Sequence, residues 1–206
     1  PPLCVVLRLA GVRSRQVDFA PAIVIGPDWD FFTRFSEHAQ FGFLPDLTCE
    51  YRIHQTNITV QTGMERRRGY LAICREKAIR LERFRQCSLE TRAAVFYDLL
   101  VDLLAGRPER QAQVFAWPQF TELPPAERAR LLRLAAAEAL LQDPSAAQVG
   151  AWLAQAARLQ PGSLALRGMV YLYQLHPGLL RVVLRARRRG SGLSRSESPF
   201  ADIRLP

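Results

Sequence analysis

Asp28 and Asp30 stand two residues apart directly after a Gly26-Pro27 turn, with Trp29 between them and Arg34 one helical turn further on. A carboxylate presented at a rigid turn can accept the proton of an attacking hydroxyl, and a guanidinium can offset the charge of a leaving phosphate. A second polar group follows at Tyr51-Arg52-Ile53-His54, where Arg52 and His54 offer one cation and one imidazole ligand. Trp29 and Phe31 are aromatic faces on which a sugar ring can stack. Each residue also has a plain reading. Asp28 can cap a helix, Asp30 can complement its dipole, Trp29 and Phe31 can fill a core, and Glu50 to His54 can be a strand with one polar face.

These residues need elements to position them. As far as Asn57 the pattern is mixed, with apolar runs at Leu3 to Leu9, Ala22 to Ile25, Phe41 to Leu44 and Thr48 to Ile53 separated by turn residues. The runs predict strands around one helix, which spans about Trp29 to Ala39 with Asp28 in the N-cap position. From Met64 the periodicity is helical: Ala93, Phe96, Tyr97, Leu100, Leu103 and Leu104 follow i, i+3, i+4, i+7 spacing behind a Ser88 cap. Pro125, Pro144, Pro161 and Pro177 are each suited to the first turn of a further helix, which predicts helical hairpins. Trp152 to Pro161 echoes one helix of a tetratricopeptide repeat, but the rest of that consensus is missing.

The blocks Gly26 to Arg34, Phe41 to Pro45 and Tyr51 to Thr59, taken in that order, resemble family 2 glycosyltransferases of the GT-A fold. The likeness covers about residues 20 to 60. It implies an inverting transfer of a sugar from a nucleotide-sugar donor to a glycan or lipid-linked glycan acceptor, with Asp28 as catalytic base. It further implies substrate contacts at Trp29, Asp30, Arg34 and Arg52, and a divalent metal, Mg or Mn, near His54. Asp28-Trp29-Asp30 also fits the D-x-D pattern with which such enzymes hold the metal. Pro27 departs from the family, which has an acid there, and the donor-binding half is missing from the sequence. The isolated chain is therefore expected to be inactive and to hold no cofactor.

Composition narrows the classes. The net charge of +9 is uneven, because residues 1–63 carry five Arg against six acids while residues 64–206 carry 23 basic residues against 13 acids. Lys77 is the only lysine, and such arginine usage follows genome composition as readily as nucleic-acid binding, so no nucleic-acid partner is expected. Cys4, Cys49, Cys74 and Cys87 lack C-x-x-C spacing and read as small hydrophobes in a reducing compartment. No apolar run reaches transmembrane length. Leu179 to Arg189 mixes apolar residues with five arginines, the composition of a helix drawn to an anionic membrane surface. The chain opens at Pro1 and enters a strand-like run at once, the pattern expected of an excised or truncated piece.

The sequence thus predicts an α/β GT-A remnant over residues 1–63, a helical region over 64–190 and a flexible tail over 191–206. Its expected location is the cytoplasm, at the inner membrane face. The rival readings are a non-catalytic helical interaction module with a vestigial transferase segment, and a basic membrane-surface protein.

Overall fold

The computed structural model describes residues 5–8, 10–12, 16–42, 62–143 and 145–190. The described part is predominantly helical and contains no strand. The chain divides into two compact units, Pro1–Gln113 and Val114–Pro206.

In the first unit α1 spans Pro27–Phe35. It starts earlier than the sequence predicts, and Asp28 is not its cap. Gly26 takes the N-cap position in the left-handed region, φ 78°, and its carbonyl accepts the Asp30 N–H at 3.0 Å. Pro27 fits at the first helical position because it lacks an N–H that would have no partner there. The helix ends in a turn over residues 36–38 rather than continuing to Ala39. Phe31 and Phe35 bury themselves with Val17, and Phe19 stacks on Phe31 at 4.6 Å between ring centroids.

The strands predicted in the N-terminal region are corrected where they can be seen. Residues 5–8 and 23–24 have no regular structure. Ile23 and Ile25 are buried and Val24 is exposed, so the alternation is real. It buries every second side chain of an irregular segment, and among the described residues no α/β remnant is observed. The runs at Thr48 to Ile53 and most of Phe41 to Leu44 lie outside the described residues.

The remainder of this unit is a helical assembly: α2 (Met64–Arg80), α3 (Glu82–Gln86) and α4 (Leu89–Gly106), then a 3-10 turn (Pro108–Arg110) and α5 (Gln111–Phe115), within which the division between units falls. The predicted stripe of α4 is its core face, with Ala93, Phe96, Leu100 and Leu103 buried, and the Thr91 N–H donates to the Ser88 hydroxyl at 3.1 Å. Helix α2 is mostly polar, yet it packs along α4 and buries Ala72, Ala78 and Ile79, while its Cys74 lies against the Gly26 carbonyl.

The second unit contains α6 (Pro118–Thr121), α7 (Pro125–Gln142), α8 (Gln148–Leu159), α9 (Leu164–Leu175) and α10 (Pro177–Gly190). From α7 onward consecutive helices pack on one another, and α10 returns to α7. Pro125 and Pro177 begin helices as predicted, whereas Pro161 lies in the turn before α9, which is capped by Ser163, and Pro144 lies outside the described residues. The core is Phe120, Leu131, Leu132, Leu140, Val149 and Leu153. The Trp152 ring meets Phe115 edge-on at 5.3 Å. A methyl added at Gly150 would come within 2.9 Å of Tyr173, so α8 and α9 approach closely there.

Candidate functional site

Helix α1 separates the two acids expected to act together. Asp28 is half-buried and, with Trp29, Phe32, Thr33, Ser36 and Phe41, lines an open hollow of about 480 Å³. Asp30 faces the other way and is 1 % exposed. Arg34 Nε donates to its Oδ2 at 2.9 Å, and Lys77 Nζ from α2 lies 3.1 Å from Oδ1. The lysine contact is a charge pair without hydrogen-bond alignment, since Oδ1 accepts no bond. Arg34 also donates to the Asp18 carbonyl at 2.6 Å. Asp30 and Arg34 therefore tie α1 to α2 and to the preceding segment. Arg52 and His54 lie outside the described residues. Phe31 is core and Trp29 is part-exposed. Among the described residues no three His, Cys, Asp or Glu side chains converge as a metal site.

A second polar cluster sits between α2 and α4. Arg75 pairs with Asp98 at 3.1 Å and with Asp102, two carboxylates one turn apart on α4, while Arg110 reaches Glu76 at 2.8 Å. Gln111 donates to the Leu100 carbonyl at 2.6 Å. Burial pushes the Asp102 carboxyl up to about 6, against the pull of Arg75. The adjoining cavity is only about 20 Å³, room for roughly one water. Nearby, burial and then Asp30 push the Cys74 thiol up to about 11, so it is an inert core thiol. This cluster joins helices and leaves no room for a substrate.

The second unit gathers charge of one sign. Over residues 114–190 it carries ten arginines against four acids. Helices α7 and α10 run antiparallel, because Arg181 Nη2 donates to the Leu141 carbonyl at 3.0 Å while Arg188, further along α10, pairs at 3.5 Å with Glu138, further back on α7. The Arg133 guanidinium is half-buried, and its pKa is lowered by burial first and then by Arg130 and Arg187. Arg130 leans on Glu127 at 2.5 Å. No carboxylate pairs with Arg133 or Arg187 among the described residues.

Residues 115–176 match the family model of the TilS substrate binding domain. The match begins at Phe115, takes in α6 to α9 and ends immediately before α10, covering less than a third of the chain. Neither the curated proteins nor the solved structures contain a match to the chain.

This likeness corrects the sequence reading. TilS is a tRNA-modifying enzyme, not a glycosyltransferase, and its substrate binding domain is helical. The glycosyltransferase resemblance, the sugar transfer it implied, the nucleotide-sugar and glycan partners and the exclusion of nucleic acid are all overturned. The rival reading as a helical module is partly compatible with it. Three short blocks over residues 20 to 60 carried the transferase likeness, and the described part of them is a helix held by Gly26 and Pro27 with no strand beside it. The arginines of α7 were passed over because the basic excess was assigned to genome composition. The ten arginines against four acids over residues 114–190 were the available signal.

No helix among the described residues is long and apolar enough to cross a membrane.

Proposed function

We propose that the second unit is a substrate-holding module that binds tRNA, and that it positions the RNA for chemistry carried out elsewhere. The observation that supports this most is the match of residues 115–176 to the TilS substrate binding domain, a family tied to tRNA modification. The charge agrees with it. Helical hairpins with an arginine excess attract a polyanion, and each phosphate neutralised releases a counterion. On this reading the protein works in the cytoplasm, where its RNA is.

Fluorescence anisotropy with labelled tRNA and the full chain tests the proposal. Binding is expected to weaken linearly in log Kd against log salt, and tRNA is expected to outcompete double-stranded DNA of equal length. Equal competition by DNA, or no binding at low salt, removes the reading.

A further inference from the structure

Helix α10 carries apolar side chains on two faces, and the fold uses only one of them. Leu180 is buried, and the helix packs on α9 and returns to α7. Leu179, Val182 and Val183, spaced i, i+3, i+4, form a second stripe that stays in water, with Val182 65 % exposed. On α9, Leu164, Tyr171 and Leu175 are exposed as well and follow i, i+7, i+11, a single line along that helix. His176 is the only residue between the two helices, and its Nδ1 accepts the Gly178 N–H at 3.0 Å, so a short local link fixes the hairpin. Six large apolar side chains left in water on two joined helices mark a contact surface for something outside the fold.

The charge around the stripe says what that is. Residues 160–190 contain six arginines and no acid, and five of the six lie on α10. Arg181 and Arg188 are engaged by the Leu141 carbonyl and by Glu138. Arg185, Arg187 and Arg189 are exposed, and among the described residues no carboxylate pairs with them. At about 100° per residue, Arg187 falls on one flank of the stripe and Arg185 and Arg189 fall on the other. A cationic rim around an apolar stripe complements a surface that is anionic at its edge and apolar beneath. A nucleic-acid backbone offers phosphates to the arginines but nothing apolar to the valines, and a second copy of the chain would set like charges against one another.

We propose that the outer stripe of α10, Leu179, Val182 and Val183, seats in the interface of an anionic lipid membrane while Arg185, Arg187 and Arg189 reach its phosphate head groups. The inner face stays packed in the helical unit, so the helix lies in the plane of the membrane and does not span it. Arginine stems are long enough to lie along the apolar boundary and keep their charged ends in the head-group layer. The site begins where the match of residues 115–176 ends, and it does not rest on the tRNA reading.

The test uses the full chain as wild type, as L179Q/V182Q/V183Q, which removes the apolar stripe and keeps every charge, and as R185Q/R187Q/R189Q, which does the reverse. All six positions are exposed, so neither variant opens the core. Sedimentation with vesicles of phosphatidylcholine plus phosphatidylglycerol, and with vesicles of phosphatidylcholine alone, is read beside tRNA anisotropy. Wild type should bind the anionic vesicles and leave the neutral ones. L179Q/V182Q/V183Q should weaken that binding at least about 10-fold, and R185Q/R187Q/R189Q should weaken it on the order of 100-fold. The apolar variant should keep the tRNA affinity of wild type. Wild type that ignores anionic vesicles overturns the proposal. So does an apolar variant that binds them as wild type does, because the chain would then adsorb by charge alone. If the apolar variant loses tRNA and keeps the vesicles, the stripe belongs to RNA and the lipid assignment falls. Wild type that binds the vesicles through both sets of residues but ignores tRNA removes the tRNA reading and leaves the lipid site standing.

Discussion

Arg188 and Glu138 meet at 3.5 Å where α10 returns along α7. The Glu138 side chain is 18 % exposed and that of Arg188 36 %, so solvent screens the pair and its contribution to stability is at most about 1 kcal/mol. Its larger effect is on the local field. Glu138→Gln should leave the urea midpoint nearly unchanged and raise tRNA affinity a few-fold, because it removes one of the four acids of residues 114–190 and frees Arg188 from its partner carboxylate. A fall in affinity would show that the carboxylate is needed to hold α10 in register.

Gly26 occupies the left-handed region at φ 78°, and the Pro27 ring fixes the following residue at the start of α1. Space is not the constraint there, since an added methyl would meet Leu71 at 3.5 Å, an ordinary contact. Backbone strain is. Gly26→Ala should cost about 1 kcal/mol of stability, read by chemical denaturation, and should leave RNA binding unchanged.

Asp30 is buried, accepts a hydrogen bond from Arg34 and pairs by charge with Lys77. Asp30→Asn keeps the shape and removes the charge, leaving two cations without their carboxylate. Both cations reach solvent, with 29 % and 41 % of their side chains exposed, which softens the penalty to roughly 1–3 kcal/mol. A variant as stable as wild type would mean that α1 does not depend on this tie.

Burial raises the Asp102 carboxyl from 3.8 to about 6. The folded chain then holds this proton more tightly than the unfolded chain does. The contribution is favourable below about pH 4, declines as pH rises through about 6, and is level above that. The loss is on the order of 3 kcal/mol. Urea melts of wild type and Asp102→Asn at pH 4 and pH 7 isolate it, and wild type should lose ground to the variant at the higher pH. The opposite trend would show that Arg75 outweighs burial.

Much of the helical architecture was legible because its signals are local. The stripe from Ala93 to Leu103, the Ser88 hydroxyl and the first-turn positions of Pro125 and Pro177 each act within a turn or two of the chain. The N-terminal region misled because period-two burial at Ile23 and Ile25 looks the same whether or not a neighbouring strand completes a ladder. Asp28 misled in a similar way, since an acid before an apolar run suggests a cap, but the Gly26-Pro27 pair starts the helix two residues earlier. The return of α10 onto α7 was not legible, because Arg181 and Leu141 meet across 40 residues of chain that no local signal spans.

Photocrosslinking of bound tRNA, followed by mass spectrometry of the crosslinked peptides, tests the central claim most directly. The account predicts that crosslinks concentrate in the second unit, on its arginine-bearing peptides, and fade when salt is raised. Crosslinks confined to the first unit, with none between residues 114 and 190, would contradict it.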